Sequence, residues 1–121
     1  MLTDALVGPV AVEALRTLHL DLVFLGVHGA DERSGFTTPN LMESETNRAL
    51  VEAGRRLVVV ADHTKWGMVG LSTIVPLEAA DVFITDDEMP PDALVVLTER
   101  CGEVVVARSA TADLPSQSST R

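Results

Sequence analysis

Leu57-Val58-Val59-Val60-Ala61 constrains the fold of this chain more than any other stretch. It is a continuous apolar, β-branched run with no polar residue to face water. Such a run fits an interior strand of a parallel sheet, where both faces are covered. Parallel strands need long crossovers, so helices should stand between the strands. The rest of the sequence supplies that alternation.

Pro9 suits a first helical turn, and Val10, Ala11, Ala14, Leu15 and Leu18 then fall on one helical face. Asp21 to Leu25 is a short apolar run that stops at Gly26 and reads as a buried strand. Asn40 offers an N-cap with Glu43 three residues on, which predicts a capping box. Met42, Thr46, Ala49, Leu50 and Ala53 share the face of the helix that follows, and Gly54 is its stop. After Leu57–Ala61, Val69–Val75 is a candidate strand and Leu77–Ala80 at most a helical turn. Val82–Thr85 is a strand closed by Asp86-Asp87. Pro90-Pro91 opens a third helix with Leu94, Leu97 and Cys101 on one side and Gly102 as its stop. Glu103–Ala107 is a last strand. The expected fold class is α/β, a mainly parallel layered sheet within residues 1–108. The Ser-, Thr- and Pro-containing stretch 109–121 has too little apolar surface to fold and is expected to be disordered.

The stretch from Gly26 to Asn40 reads as a loop, long for a compact domain, and loops of that length are functional or disordered. In open parallel sheets, ligands sit beyond the carboxyl ends of the strands. Three polar segments fall there: Gly26 to Thr38, Asp62 to Gly67, and Thr85 to Asp87. Their convergence on one sheet edge is the bottom-up case for a small-ligand site. In the first segment, Gly26, Gly29 and Gly35 permit close backbone approach. The Thr37 and Thr38 hydroxyls offer anion contacts, and His28 and Asp31 offer hydrogen bonds to sugar hydroxyls. Read alone, the same glycines would serve turns in a flexible surface loop. In the second segment Lys65 is the only lysine of the chain. An ammonium there can neutralise a phosphate as a compact point charge, or it can be an ordinary solvated lysine paired with Asp62.

Composition removes several function classes. With 9 basic and 18 acidic residues the formal charge is −9, which a nucleic-acid backbone repels. No helix-turn-helix, basic arm or zinc-knuckle spacing is visible. His19, His28 and His63 lack zinc-holding spacing, and Asp86, Asp87 and Glu88 read as a solvated acidic turn rather than a metal site. No metal or cofactor is expected. Trp66 could stack on a sugar or pack beside the strand. A single cysteine, Cys101, fits a reducing cytoplasm. No apolar run reaches membrane-spanning length.

The residues resemble a known family. Asp21 to Gly26, Gly35-Phe36-Thr37-Thr38-Pro39-Asn40, Ala61-Asp62-His63-Thr64-Lys65-Trp66-Gly67 and Ile84-Thr85-Asp86-Asp87 resemble DeoR-type transcription regulators in order and spacing, over roughly Val7 to Val106. The resemblance implies a fold similar to ribose-5-phosphate isomerase, a phosphorylated sugar as effector, and a non-enzymatic sensor role. It implies that DNA is contacted only through an N-terminal winged helix-turn-helix, which this sequence lacks, as it lacks the family's Asp-x-Gly-Thr-Thr turn. Lys65, in the Asp-x-Thr-Lys turn, is the implied ligand contact. His28 falls where the isomerases carry a catalytic aspartate, unless the alignment slides and brings Ala30-Asp31-Glu32 there. Association with another copy is expected of a part-sheet with a free edge.

Overall fold

In the computed structural model, residues 9–108 are described. The expectation of a disordered stretch over 109–121 lies outside them. The order of elements is α1 (Pro9–Leu15), β1 (Leu20–Gly26), β2 (Gly29–Asp31), β3 (Gly35–Thr38), α2 (Leu41–Ala53), β4 (Gly54–Val60), a 3-10 turn (His63–Lys65), β5 (Ser72–Val75), a second 3-10 turn (Leu77–Ala79), β6 (Val82–Asp86), α3 (Pro91–Arg100) and β7 (Val104–Ala107).

Four strands make one parallel sheet in the order β1-β4-β6-β7. Leu22 stands opposite Arg56, Phe24 opposite Val58, Val60 opposite Ile84, and Ile84 opposite Val105. The order advances in one direction. Crossovers between parallel strands are right-handed, so successive connections stack on a single face of the sheet. The core confirms this. Val23 and Leu25 of β1, Leu57 and Val59 of β4, and Phe83 of β6 are buried in one cluster with Leu15 of α1, Leu50 of α2 and Leu97 of α3. This is the α/β parallel architecture that the apolar runs predict.

The stretch from Gly26 to Asn40 is not a loop. It folds as an antiparallel hairpin, β2 on β3, and β5 completes a second three-stranded sheet. Two features make this possible. Gly35 takes φ +77°, a conformation that side chains disfavour. Asp31 Oδ2 accepts the backbone N–H groups of Arg33 and Ser34, each at 3.0 Å, and so closes the turn. Phe36 of β3 stacks on Phe83 of β6 with ring centroids 5.8 Å apart, tying the small sheet to the large one.

Other expectations need adjustment. Helix α1 ends at Leu15, and Val10 and Leu18 are exposed rather than packed. In α2, Met42 is exposed while Ser44 and Asn47 are buried with Thr46 and Leu50. The face is turned because Ser44 Oγ hydrogen-bonds Ser72 Oγ at 2.9 Å and Arg48 Nη1 donates to the Thr73 carbonyl at 2.6 Å, both on β5. Asn40 does cap α2, accepting the Glu43 N–H at 3.0 Å. The return arm of the capping box is absent, because Glu43 Oε1 instead accepts the Thr38 hydroxyl at 3.1 Å. The candidate strand at Val69–Val75 is formed only over Ser72–Val75.

Candidate functional site

The site is assembled at the carboxyl ends of β1, β4 and β6. Beyond β4, Asp62 caps the 3-10 turn: its Oδ1 accepts the Thr64 N–H at 2.8 Å and the Thr64 hydroxyl as well. Lys65 Nζ stands 3.7 Å from Asp62 Oδ2 and reaches Thr64 Oγ1 at 3.5 Å. The Thr64 hydroxyl, followed by its backbone N–H, holds the Asp62 carboxyl below its ordinary range, with the Lys65 charge assisting.

From the end of β6, Asp86 locks this turn in place. Its Oδ2 lies 2.8 Å from His63 Nδ1 and also accepts the His63 N–H at 3.2 Å. Glu88 Oε1 lies 3.8 Å from the other ring nitrogen. The hydrogen bond to Asp86, with the surrounding carboxylates, raises the His63 pKa above its usual 6.5. The same bond lowers that of Asp86. His63, whose sequence spacing offers no zinc site, is therefore a strut between two strand ends. Asp62, His63 and Asp86 also have the atoms to approach a common metal ion. In the structure His63 is bonded to Asp86, and Asp62 to Thr64.

After Lys65 the chain folds back over β2. Trp66 bridges to Ala30, and the Gly67 N–H donates to the Ala30 carbonyl at 2.7 Å. Trp66 packs against the core, so of its two readings the strand-side one describes the structure. The Gly70 N–H donates to Thr37 Oγ1 at 2.9 Å. This cover requires Gly29: a Cβ there would lie 2.2 Å from the Met68 carbonyl oxygen and 2.6 Å from Thr37 Oγ1.

Between the first strand end and this cover lies an open depression of about 490 Å³, lined by His28, Pro39, Thr64, Lys65, Met68, Val69 and Gly70. His28 and Lys65, far apart in sequence, thus share one concave surface. His28 Nε2 is also 3.9 Å from Glu43 Oε1, at the start of α2.

The remaining candidates fall into two groups. Gly26 sits at the end of β1 with open space where a Cβ would be, and Asp62 stands beside Lys65. Like Gly26 and Asp62, the residues Gly29, Gly35, Asp31, Thr37 and Thr38 are not among those lining the depression. Asp31 is spent on the hairpin turn, and Gly35 supplies that turn's positive φ. Thr37 and Thr38 are buried, their hydroxyls bonded to Gly70 and Glu43. Sequence reading passed over Pro39, Thr64, Met68, Val69 and Gly70. Gly67 and Gly70, flanking two apolar residues just beyond a strand, were the available signal.

The DeoR C-terminal sensor domain matches residues 2–87. The chain belongs to this family. It is 40% identical over 91 residues to the HTH-type transcriptional regulator GlpR of Haloferax volcanii, covering 75% of this chain and 36% of that protein. It is 33% identical over 99 residues to a putative aga operon transcriptional repressor of Escherichia coli O157:H7, covering 82% and 37%. It is 27% identical over 94 residues to the glycerol-3-phosphate regulon repressor of Escherichia coli K12, covering 78% and 37%. The DeoR-family sensor chain thus spans a little over a third of the length of the curated relatives it matches. No helix among the described residues is long and apolar enough to cross a membrane.

Proposed function

We propose that this chain is the effector-sensing part of a DeoR-type transcription regulator and that its depression receives a phosphorylated sugar. The observation that carries the reading is the shared concavity of Lys65 and His28. Lys65 offers a point charge to a phosphate, and its bond to Thr64 is long enough to be exchanged for a better acceptor. His28 offers ring nitrogens to hydroxyls. Met68 and Val69 give the wall an apolar surface for the carbon skeleton. Gly26, at the end of β1, leaves the space around it open. Asp62 sets the orientation of the Lys65 turn. Gly29, Gly35, Asp31, Thr37 and Thr38 act one step back, as the frame that holds the cover over β2.

The role is binding rather than catalysis. Asp31 and Glu32, the carboxylates an isomerase reading would use as a base, belong to the hairpin turn, and no carboxylate is among the residues lining the depression. An effector held here would shift a conformational equilibrium by binding one state more tightly. DNA would be contacted by a helix-turn-helix segment such as the relatives' names record.

Calorimetric titration of the chain with fructose 6-phosphate and glycerol 3-phosphate, against fructose and glycerol, tests this. Saturable binding of a phosphorylated compound, weakened by at least about tenfold (~1.4 kcal/mol) in Lys65→Ala, is expected. Equal affinity for phosphorylated and unphosphorylated partners, or an unchanged Lys65→Ala, would overturn it.

A further inference from the structure

The ends of two neighbouring strands bring together a group of side chains whose joint chemistry the effector reading leaves unused. Asp62 and His63 follow β4, and Asp86 closes β6, which lies beside β4 in the sheet. One carboxylate oxygen from each aspartate and one His63 ring nitrogen all lie within 4.8 Å of one another. The three side chains are 30% to 51% exposed, so an ion reaches them from solvent. The spacing of the histidines gives no sign of this group. Its two segments stand 23 residues apart and meet only through the sheet.

We propose that Asp62, His63 and Asp86 bind one divalent transition-metal ion of the Zn²⁺ class between the ends of β4 and β6. The site stands on these residues alone and does not rest on the effector reading. Zinc bonds to imidazole nitrogen and carboxylate oxygen are about 2.0–2.2 Å long, which places neighbouring ligand atoms roughly 3.0–3.5 Å apart. His63 Nδ1 and Asp86 Oδ2 are 2.8 Å apart. An ion that takes the place of the shared proton therefore needs an opening of roughly 0.2–0.7 Å and a small turn of the ring.

The surroundings are those of a ligand set held in advance. Asp62 Oδ1 accepts the Thr64 N–H at 2.8 Å, and Asp86 Oδ1 accepts the Glu88 N–H at 3.0 Å. Hydrogen bonds of this kind orient ligating carboxylates before the ion arrives. Glu88 Oε1 lies 3.8 Å from His63 Nε2, the ring nitrogen that a metal at Nδ1 leaves free. A carboxylate on the far nitrogen of a ligating histidine fixes its tautomer and raises its basicity. Lys65 Nζ, 3.7 Å from Asp62 Oδ2, opposes the ion and keeps the affinity moderate.

The donor set chooses the metal. One imidazole and two carboxylates, with no thiolate, suit Zn²⁺, Co²⁺ or Ni²⁺, and three protein ligands leave a further position to water. Ca²⁺ asks for six or more oxygens and Mg²⁺ for a near-ideal octahedron of them, which this group does not supply.

Calorimetric titration of the full chain with ZnCl₂ alone tests the site. One Zn²⁺ per chain is expected, with a dissociation constant below about 100 µM, and with Ca²⁺ and Mg²⁺ bound at least about tenfold more weakly. His63→Gln and Asp86→Asn should each weaken Zn²⁺ at least about tenfold, and Glu88→Gln about threefold, while His19→Gln leaves it unchanged. Should a substitution loosen the fold, the unsubstituted chain still decides: substoichiometric Co²⁺ should shift and broaden the amide signals of residues 62–65 and 86–88 first. A weaker dissociation constant for Zn²⁺ than this, or comparable affinity for Ca²⁺, would overturn the inference. So would Zn²⁺ affinity insensitive to folded His63→Gln and Asp86→Asn, or Co²⁺ effects centred on His19 or on His28 and Glu43.

Discussion

Gly29→Ala is the substitution whose consequence the structure fixes most sharply. The added methyl would sit 2.2 Å from the Met68 carbonyl oxygen, 2.8 Å from its carbon and 2.6 Å from Thr37 Oγ1. Two of these atoms are backbone, so no side-chain rotation relieves the contact, and the segment from Gly67 to Gly70 must lift from β2. Lifting breaks the bonds from the Gly67 N–H to Ala30 and from the Gly70 N–H to Thr37. Each is worth about 0.5–1.5 kcal/mol net, and overpacking adds roughly 1–3 kcal/mol. A total loss of about 2–6 kcal/mol follows. Gly26→Ala is the internal control: no atom lies within 4 Å of the added methyl, so its effect stays within about 0.5 kcal/mol. Urea unfolding of both variants measures the difference. Because Met68, Val69 and Gly70 line the depression, Gly29→Ala also weakens phosphosugar binding while Gly26→Ala leaves the wall intact. If Gly29→Ala matched Gly26→Ala in stability, the packing of the cover on β2 would be wrong.

Further predictions concern the frame of the site. Thr37→Val removes the acceptor of the Gly70 N–H and should cost about 1–3 kcal/mol in urea unfolding, since a part-buried donor loses its partner. The His63–Asp86 pair should make stability depend on pH in two directions. His63, raised in the folded state, contributes fully below its unfolded value of 6.5 and loses that contribution as pH rises through the folded value. Asp86, lowered, contributes above 3.8 and loses it as pH falls through the folded value. Thermal melts should therefore show a pair contribution greatest from about pH 4 to pH 6.5 that disappears in His63→Gln. Cys101 is buried, which pushes its thiol up to about 11. Its reaction with a thiol reagent at pH 8 should be slow and should accelerate with urea in step with global unfolding.

The parallel sheet was legible in sequence because its strands are continuous apolar runs separated by helical patterns, as parallel strands joined by crossover helices are. Leu57–Ala61 and Val82–Thr85 carry that signal directly. The second sheet was not legible. Its strands β2 and β3 are three and four residues long and rich in glycine and threonine, and their stability comes from β5, far away in the chain. The face of α2 was misjudged for a related reason. Periodicity weighs apolar side chains, whereas Ser44 is buried by a hydroxyl pair with Ser72. Among the candidate residues, Lys65 and His28, which the rule for strand ends singles out, line one depression. Thr37 and Thr38 stand in the same segment, and a polar side chain in a motif carries no mark of whether it will face a ligand or a neighbouring backbone. Here Gly70 and Glu43 took those hydroxyls.

Amide chemical-shift mapping during titration of the labelled chain with fructose 6-phosphate tests the proposed pocket most directly. Saturable shifts should concentrate at His28, Thr64, Lys65 and Met68–Gly70, and should be lost in Lys65→Ala. Shifts centred instead on the groove of Arg16 and Arg48 between α1 and α2, with the strand-end residues unmoved, would contradict it.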